Sequence, residues 1–355
     1  MRLRHTSLSL FATLSSWCIA VAQEWQHDAR EREMTHDQLR VVIEVEQTYA
    51  AGGLDAMFGY DRKATQPPAS PSLGQSKKYQ SELTLSGDRV RVREDGWIWN
   101  VTDRQLYKNL IHLTNDGKEH RFSTQRDPDD IKIGYGVIQY PNTKTHLMTQ
   151  MLPIFLHCRS AESRLTDLHL GDCRPTGREE TIDGTKCKEY ELTRGRTRYR
   201  AWLCPTKRNV CLKFESYVRE AIEKRTRIDY VAHGTDGAVR PDRWTTTTYS
   251  KSGTVAATSV CKVVEYRIDD SLAKDDFRLK FHAGLSVNDQ TKNQWLKANT
   301  DGTFTLTDHE GHVIKSTTSG KTVLVVTLTF TAVAILVAFA IRRKKSAQAL
   351  EEKPR

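Results

Sequence analysis

No two of the seven cysteines in this 355-residue chain form C-x-x-C, so the paired spacing that builds a four-cysteine zinc site is absent. There is no G-x-S-x-G, which removes the strained serine elbow of one large hydrolase class. Gly320, Lys321 and Thr322 lack the upstream glycine that a phosphate-cradling loop requires. In the stretch Asp308, His309, Glu310, Gly311, His312 the histidines stand three apart, whereas the helical zinc-protease motif needs four to place both on one face. No internal repeat is present, and long apolar runs occur only near the two ends. No catalytic residue, metal or cofactor is expected, and an enzyme stays open only because scattered catalytic groups leave little trace in one sequence.

The two apolar runs set the expected topology. Met1 to His5 is positively charged, the run from Leu8 to Val21 is mostly apolar, and Ala20, Val21, Ala22 closes it, which is the form of a secretory signal peptide over residues 1–22. As a helix, about 14 residues fall short of the roughly 30 Å hydrocarbon layer, so cleavage after Ala22 is expected rather than an anchor. Residues 322–341 contain no charge, glycine or proline, and twenty helical residues match the bilayer core. Arg342, Arg343, Lys344 and Lys345 follow directly, which places the tail of residues 342–355 in the cytoplasm and residues 23–320 outside it.

The formal net charge of +10 comes from 54 basic and 44 acidic residues that are interspersed, and no aromatic and basic motif of a nucleic-acid module accompanies them. Nucleic acid is therefore not expected as a partner. An anionic membrane surface suits the excess better. Cys18 leaves with the signal peptide. Cys158, Cys173, Cys187, Cys204, Cys211 and Cys261 remain, an even number that favours up to three disulfides in an oxidising compartment. Spacing cannot choose among the 15 pairings. Cys204 and Cys211 are the best local pair, because they flank a predicted hairpin turn.

Within residues 23–320, Thr35, His36, Asp37, Gln38 has the form of a capping box and predicts a helix of about 15 residues, with Leu39, Val42, Ile43, Val45 and Tyr49 on its apolar face and Gly52 and Gly53 ending it. The Pro- and Ser-rich stretch 67–76 predicts a loop. Val90 and Val92 alternate with Arg89, Arg91 and Arg93, so a strand is expected there, with turns at Asp88 and at Asp95 and Gly96. Trp97 and Trp99 share a face, where packing is a simpler use than a ligand platform. Asn100, Val101, Thr102 is a glycosylation sequon. The Met-rich patch 147–156 predicts a short helix or lid. From Gly177 to His233 an antiparallel meander is expected, with strands at 181–193, 197–204, 211–220 and 226–232. Leu212, Phe214, Ser216 and Val218 share its packed face, and Lys213, Glu215, Tyr217 and Arg219 its wet one. Further strands are predicted at 244–249, 258–268 and 304–306.

GREETIDGTKC from Gly177 to Cys187 followed by Tyr190, Glu191 and Leu192, AWLCPTK from Ala201 to Lys207, and FRLKFHAGLSVND from Phe277 to Asp289 together resemble the lipoprotein-sorting half-barrel family of bacterial envelopes. In the last stretch His282 and Leu285 replace the family's Pro and Thr. The resemblance implies a mainly β, α+β fold: a curved antiparallel sheet closed by lid helices around an apolar cavity for acyl chains or hydrophobic peptides. The helix from Thr35 and the Met-rich patch would be the lid, and Val90, Val92, Leu212, Phe214 and Val218 are candidates to line the cavity. Unlike the soluble carrier and the lipid-anchored receptor of that family, this chain has a spanning segment and no lipobox cysteine, so it is expected to stay tethered. On the resemblance, its place is the periplasmic side of a bacterial inner membrane. Two functions follow as expectations: holding a lipid, lipidated segment or hydrophobic peptide, or docking as a non-enzymatic sensor on another envelope protein.

Overall fold

The alternation Leu39, Val41, Ile43, Val45 places four apolar side chains on one side of an extended segment, and all four are buried. In the computed structural model they belong to strand β1 (Gln38–Tyr49). The structure describes residues 25–50, 76–100, 105–127, 130–140, 150–159, 170–234, 238–268, 272 and 277–314. The expected signal peptide (1–22), the loop 67–76 apart from Ser76, the sequon beyond Asn100, residues 147–149 of the Met-rich patch, the spanning segment 322–341 and the tail 342–355 lie outside the described residues. No helix among the described residues is long and apolar enough to cross a membrane.

Fifteen further strands join β1 in one sheet: β2 (Ser76–Ser86), β3 (Arg89–Asn100), β4 (Gln105–Asn115), β5 (His120–Asp127), β6 (Asp130–Gln139), β7 (Arg174–Ile182), β8 (Thr185–Arg194) and β9 (Thr197–Cys204), followed by β10 (Val210–Val218), β11 (Ala221–Ala232), β12 (Val239–Tyr249), β13 (Val255–Ile268), β14 (Ser286–Asp289), β15 (Gln294–Ala298) and β16 (Phe304–Thr307). The order is β16-β15-β14-β6-β5-β4-β3-β2-β1-β13-β12-β11-β10-β9-β8-β7. Two meanders therefore run outward from the central β1–β13 pair. Among the described residues every pairing is antiparallel except β14 on β6. Apolar positions face one another across the centre, with Leu39 opposite Leu85 and Val41 opposite Leu83. The other face carries ion pairs, such as Arg91 and Arg40 on Glu82 and Lys213 on Glu180.

Among the described residues two α-helices cover the apolar face. The first, α1 (25–35), buries Trp25, Ala29 and Arg32, one per turn. The second, α2 (Leu152–Cys158), has Pro153 in its first turn, where a missing N–H costs nothing. Their buried side chains join those of β1 to β3 and β8 to β13 in one core.

Several expectations are corrected here. The helix expected to start at Thr35 instead ends there: the Thr35 hydroxyl donates to the Glu31 carbonyl at 2.9 Å, closing the last turn of α1. Residues 38–49 are a strand because Val41, Val42, Ile43 and Val45 are β-branched and pack well on a pleated surface. Asp95 and Gly96 do not turn; they lie inside β3, opposite Leu110 and Asn109. The strand at 197–204 stands where expected, but β7 and β8 divide the 181–193 segment at Asp183 and Gly184, and Arg219 and Glu220 turn inside the expected 211–220 strand, so that β11 begins at Ala221 rather than 226; all four turn residues have positive φ. Residues 308–312 form an exposed turn closed by Gly311 N–H donating to the Asp308 carbonyl, with no helix to carry a zinc-protease pair.

At the far edge, Phe281, Leu285, Val287 and Leu296 build a second core against β6. Gly136 makes room for it, since a Cβ there would lie 2.6 Å from the Phe281 ring.

Candidate functional site

The parity of β3 determines what meets the helices. Val90 and Val92 point into the core with 0% exposure, and Glu94, two residues on, continues the same face. Its carboxylate accepts one long bond, 3.5 Å from the Ser81 hydroxyl, and Tyr79, Tyr49 and Cys261 lie around it. Burial pushes the Glu94 carboxyl up to about 7, with the Ser81 bond opposing. Gln150, just before α2, reaches the same region. Its amide donates to the Ser259 hydroxyl at 3.2 Å, and its oxygen accepts from the Cys261 thiol at 3.4 Å. One end of the helix-covered face is therefore polar at its base and apolar along its walls.

The opposite end is held by Arg159, which follows α2 and is itself buried. Its guanidinium donates to the carbonyls of His36 (2.9 Å), Asp37 (2.9 Å), Cys158 (2.8 Å) and Gly87 (3.3 Å). Arg32 of α1 donates to the His157 carbonyl at 3.2 Å and to the Arg208 carbonyl at 2.5 Å. These two arginines fasten both helices to the ends of the strands. The clefts outside the core differ in kind. One of about 680 Å³ is lined by Glu44, Glu46, Lys78, Asp242, Arg243 and Lys262 among others, a charged surface that does not suit an apolar ligand.

Of the five candidate lining residues, Val90, Val92 and Phe214 belong to the helix-covered core. Leu212 does not: a register shift between Cys211 and Lys213 makes it the extra residue of a bulge, and it packs with Trp202 and Val210 in a separate cluster. Val218 is 38% exposed at the end of β10. Glu215, expected on a wet face, is buried, with Arg225 donating to it at 2.7 Å and the Tyr217 hydroxyl bonded to it. Trp97 packs against the core beneath the Lys77 ammonium, 4.3 Å from its ring; the Trp99 side chain lies outside the described ones.

The six cysteines are all buried, and none is bridged among the described residues. The expected Cys204–Cys211 pair is corrected, because Cys211 belongs to the main core and Cys204 to the separate cluster, on opposite faces of the sheet. Cys187 shares that cluster. The β8–β9 ladder sets Lys188 opposite Leu203, so its next rung sets Cys187 opposite Cys204, with the thiols in hydrogen-bond reach. Facing residues of an antiparallel pair have Cα atoms about 4.5–5.5 Å apart, within the range a disulfide spans. Non-reducing peptide mapping of chain exported to an oxidising compartment is expected to recover Cys187 joined to Cys204. A Cys204–Cys211 link would contradict the face assignment.

Sequence reasoning missed Glu94, Gln150, His157 and Arg159. For Glu94 the signal was present, as the next inward position after Val90 and Val92. The others lie near a segment with no strand period to orient them.

No family model and no curated protein matches the chain. Solved structures do match. A LolA superfamily protein from Nitrosomonas europaea has 18% identity and a TM-score of 0.42, covering 73% of this chain and 97% of that one. A DUF1329 family protein from Desulfovibrio piger has 10% identity and a TM-score of 0.43, covering 72% and 97%. An outer-membrane lipoprotein-sorting protein domain from Vibrio parahaemolyticus has 14% identity and a TM-score of 0.41, again covering 72% and 97%. These matches include the superfamily that the three sequence stretches resemble.

Proposed function

We propose that this chain is a non-enzymatic envelope protein that holds an acyl chain or hydrophobic peptide against the helix-covered face of its sheet. In this reading residues 1–22 direct export, residues 322–341 tether the sheet to the membrane and the bound group stays at that surface. The observation that carries it is the cover itself: two short helices, fastened mainly through Arg32 and Arg159, close a face built by strands from β1 to β13. Curvature supports the same reading. A flat sheet would hold β2 and β10, five steps apart in the order, about 24 Å from each other. Helix α2 is only about 10 Å long, yet it packs on β10 and β12 while Arg159 at its end reaches Gly87 between β2 and β3. The sheet curls around its cover as a half-barrel, and α1 and α2 act as the lid.

The test uses the full chain in cells supplied with a photo-activatable fatty acid. After irradiation, label is expected on peptides carrying Val90 and Val92 or Ile154 and Phe155. Label confined to residues 322–341, or a stoichiometric protein cross-link with none on these peptides, would instead support the docking function.

A further inference from the structure

Where α1, α2 and the start of β1 meet, His36, His157 and Cys158 bring one ligand atom each to within 4.8 Å of one another, and all three residues are buried. We propose that they form a three-coordinate site for a soft monovalent metal ion, Cu⁺, bound by two imidazole nitrogens and one thiolate. The state of the imidazoles carries the argument. His36 Nδ1 lies 2.7 Å from the Arg32 carbonyl, which can only accept, so Nδ1 bears the proton and the lone pair is on Nε2. That Nε2 is buried without a hydrogen-bond partner among the described residues. A ring that donates one N–H to a backbone carbonyl and keeps its other nitrogen free is oriented as a metal-binding histidine is. His157 has neither ring nitrogen bonded among the described residues, although its side chain is wholly enclosed. Buried polar atoms left unpaired are costly, so His36 Nε2 and one His157 ring nitrogen meeting at one point call for an occupant.

The surroundings select the ion. Arg32 and Arg159 donate to the carbonyls of His157, Cys158 and His36, which fixes the backbone of all three ligands and sets two positive charges beside them. Tyr266, whose hydroxyl lies 3.6 Å from the Cys158 sulfur, Tyr230 and His233 pack around the ligands, and Glu33 is the carboxylate that acts on Cys158. The third ligand is the Cys158 thiol. Binding replaces the S–H bond with an S–Cu bond and releases that proton to solvent. The thiolate and Cu⁺ together are neutral, whereas Zn²⁺ would leave a further positive charge between two guanidiniums. Thiolate ligation suits Cu⁺ in any case.

The test is titration of the full chain with Cu⁺ in competition with a chromophoric Cu⁺ chelator, beside a parallel Zn²⁺ titration. One Cu⁺ per chain is expected, with X-ray absorption showing one sulfur and two nitrogen neighbours. Cys158→Ser and His36→Gln should each weaken it at least a hundredfold, while the double variant Cys187→Ser with Cys204→Ser keeps it. If either ligand variant fails to fold, the sulfur and nitrogen count in the unaltered chain decides. Absence of stoichiometric Cu⁺, Zn²⁺ binding in its place, or loss of Cu⁺ in the Cys187 and Cys204 variant would each overturn the proposal.

Discussion

Replacing Glu94 by Gln is expected to stabilise the folded chain by about 3 kcal/mol at pH 8 and to leave it nearly unchanged at pH 4.5. The carboxyl titrates near 4.5 when free and about 7 in the folded state, where the core disfavours its charge. Below 4.5 it is protonated in both states and contributes no penalty. As pH rises from 4.5 to 7 the unfolded chain releases the proton more readily, so folding stability falls through that window and levels off above it. A glutamine is neutral throughout and removes the slope. Urea midpoints for both proteins at pH 4.5, 6 and 8 provide the check. A difference that does not grow with pH would mean that Glu94 is solvated or paired in solution.

The second large effect is expected at Arg159. Arg159→Met keeps much of the volume but removes every donor to the carbonyls of His36, Asp37, Cys158 and Gly87. Bonds to a buried charged group are worth more than neutral ones, and the stranded acceptors add their desolvation cost, so a loss of about 3–5 kcal/mol is expected. Arg159→Lys should recover only part of it, since one ammonium cannot span four carbonyls set on three different segments. Hydrogen exchange should also quicken in α2 before it does in β1. If the loss is under about 1 kcal/mol, water replaces the guanidinium and the proposed lid is not held there.

The meander was legible at Gly195 and at Arg208 and Asn209, which take positive φ between strands expected on either side. Asp183 and Gly184, and Arg219 and Glu220, also take positive φ but fall inside segments expected to be strand, because neither period nor composition marked them as turns. The first helix was illegible as well. Its buried face is Trp25, Ala29 and Arg32, with His36 one turn further, and two of those four are polar, so a hydrophobic period does not reveal it. The error at β1 has the same root. Leu39, Val42, Ile43 and Val45 fit a helical spacing loosely, and only the burial of Val41, with Val42 half-covered, fixes the period as two. At the candidate site, Val90 and Val92 were readable by alternation, whereas Leu212 was misplaced because a bulge resets parity and leaves no mark in composition. Cys187 and Cys204 could not be singled out, because their facing depends on a register that only the folded ladder supplies.

The pairing of β1 with β13 also has a consequence in time. Val45 faces Cys261 across that seam, and at roughly 5–20 residues per second a ribosome takes roughly 10–40 s to travel from one to the other. During that interval β1 can find β2 but presents its other edge bare, an invitation to foreign strands. A chain that emerges in this order leaves that edge open until the thirteenth strand arrives.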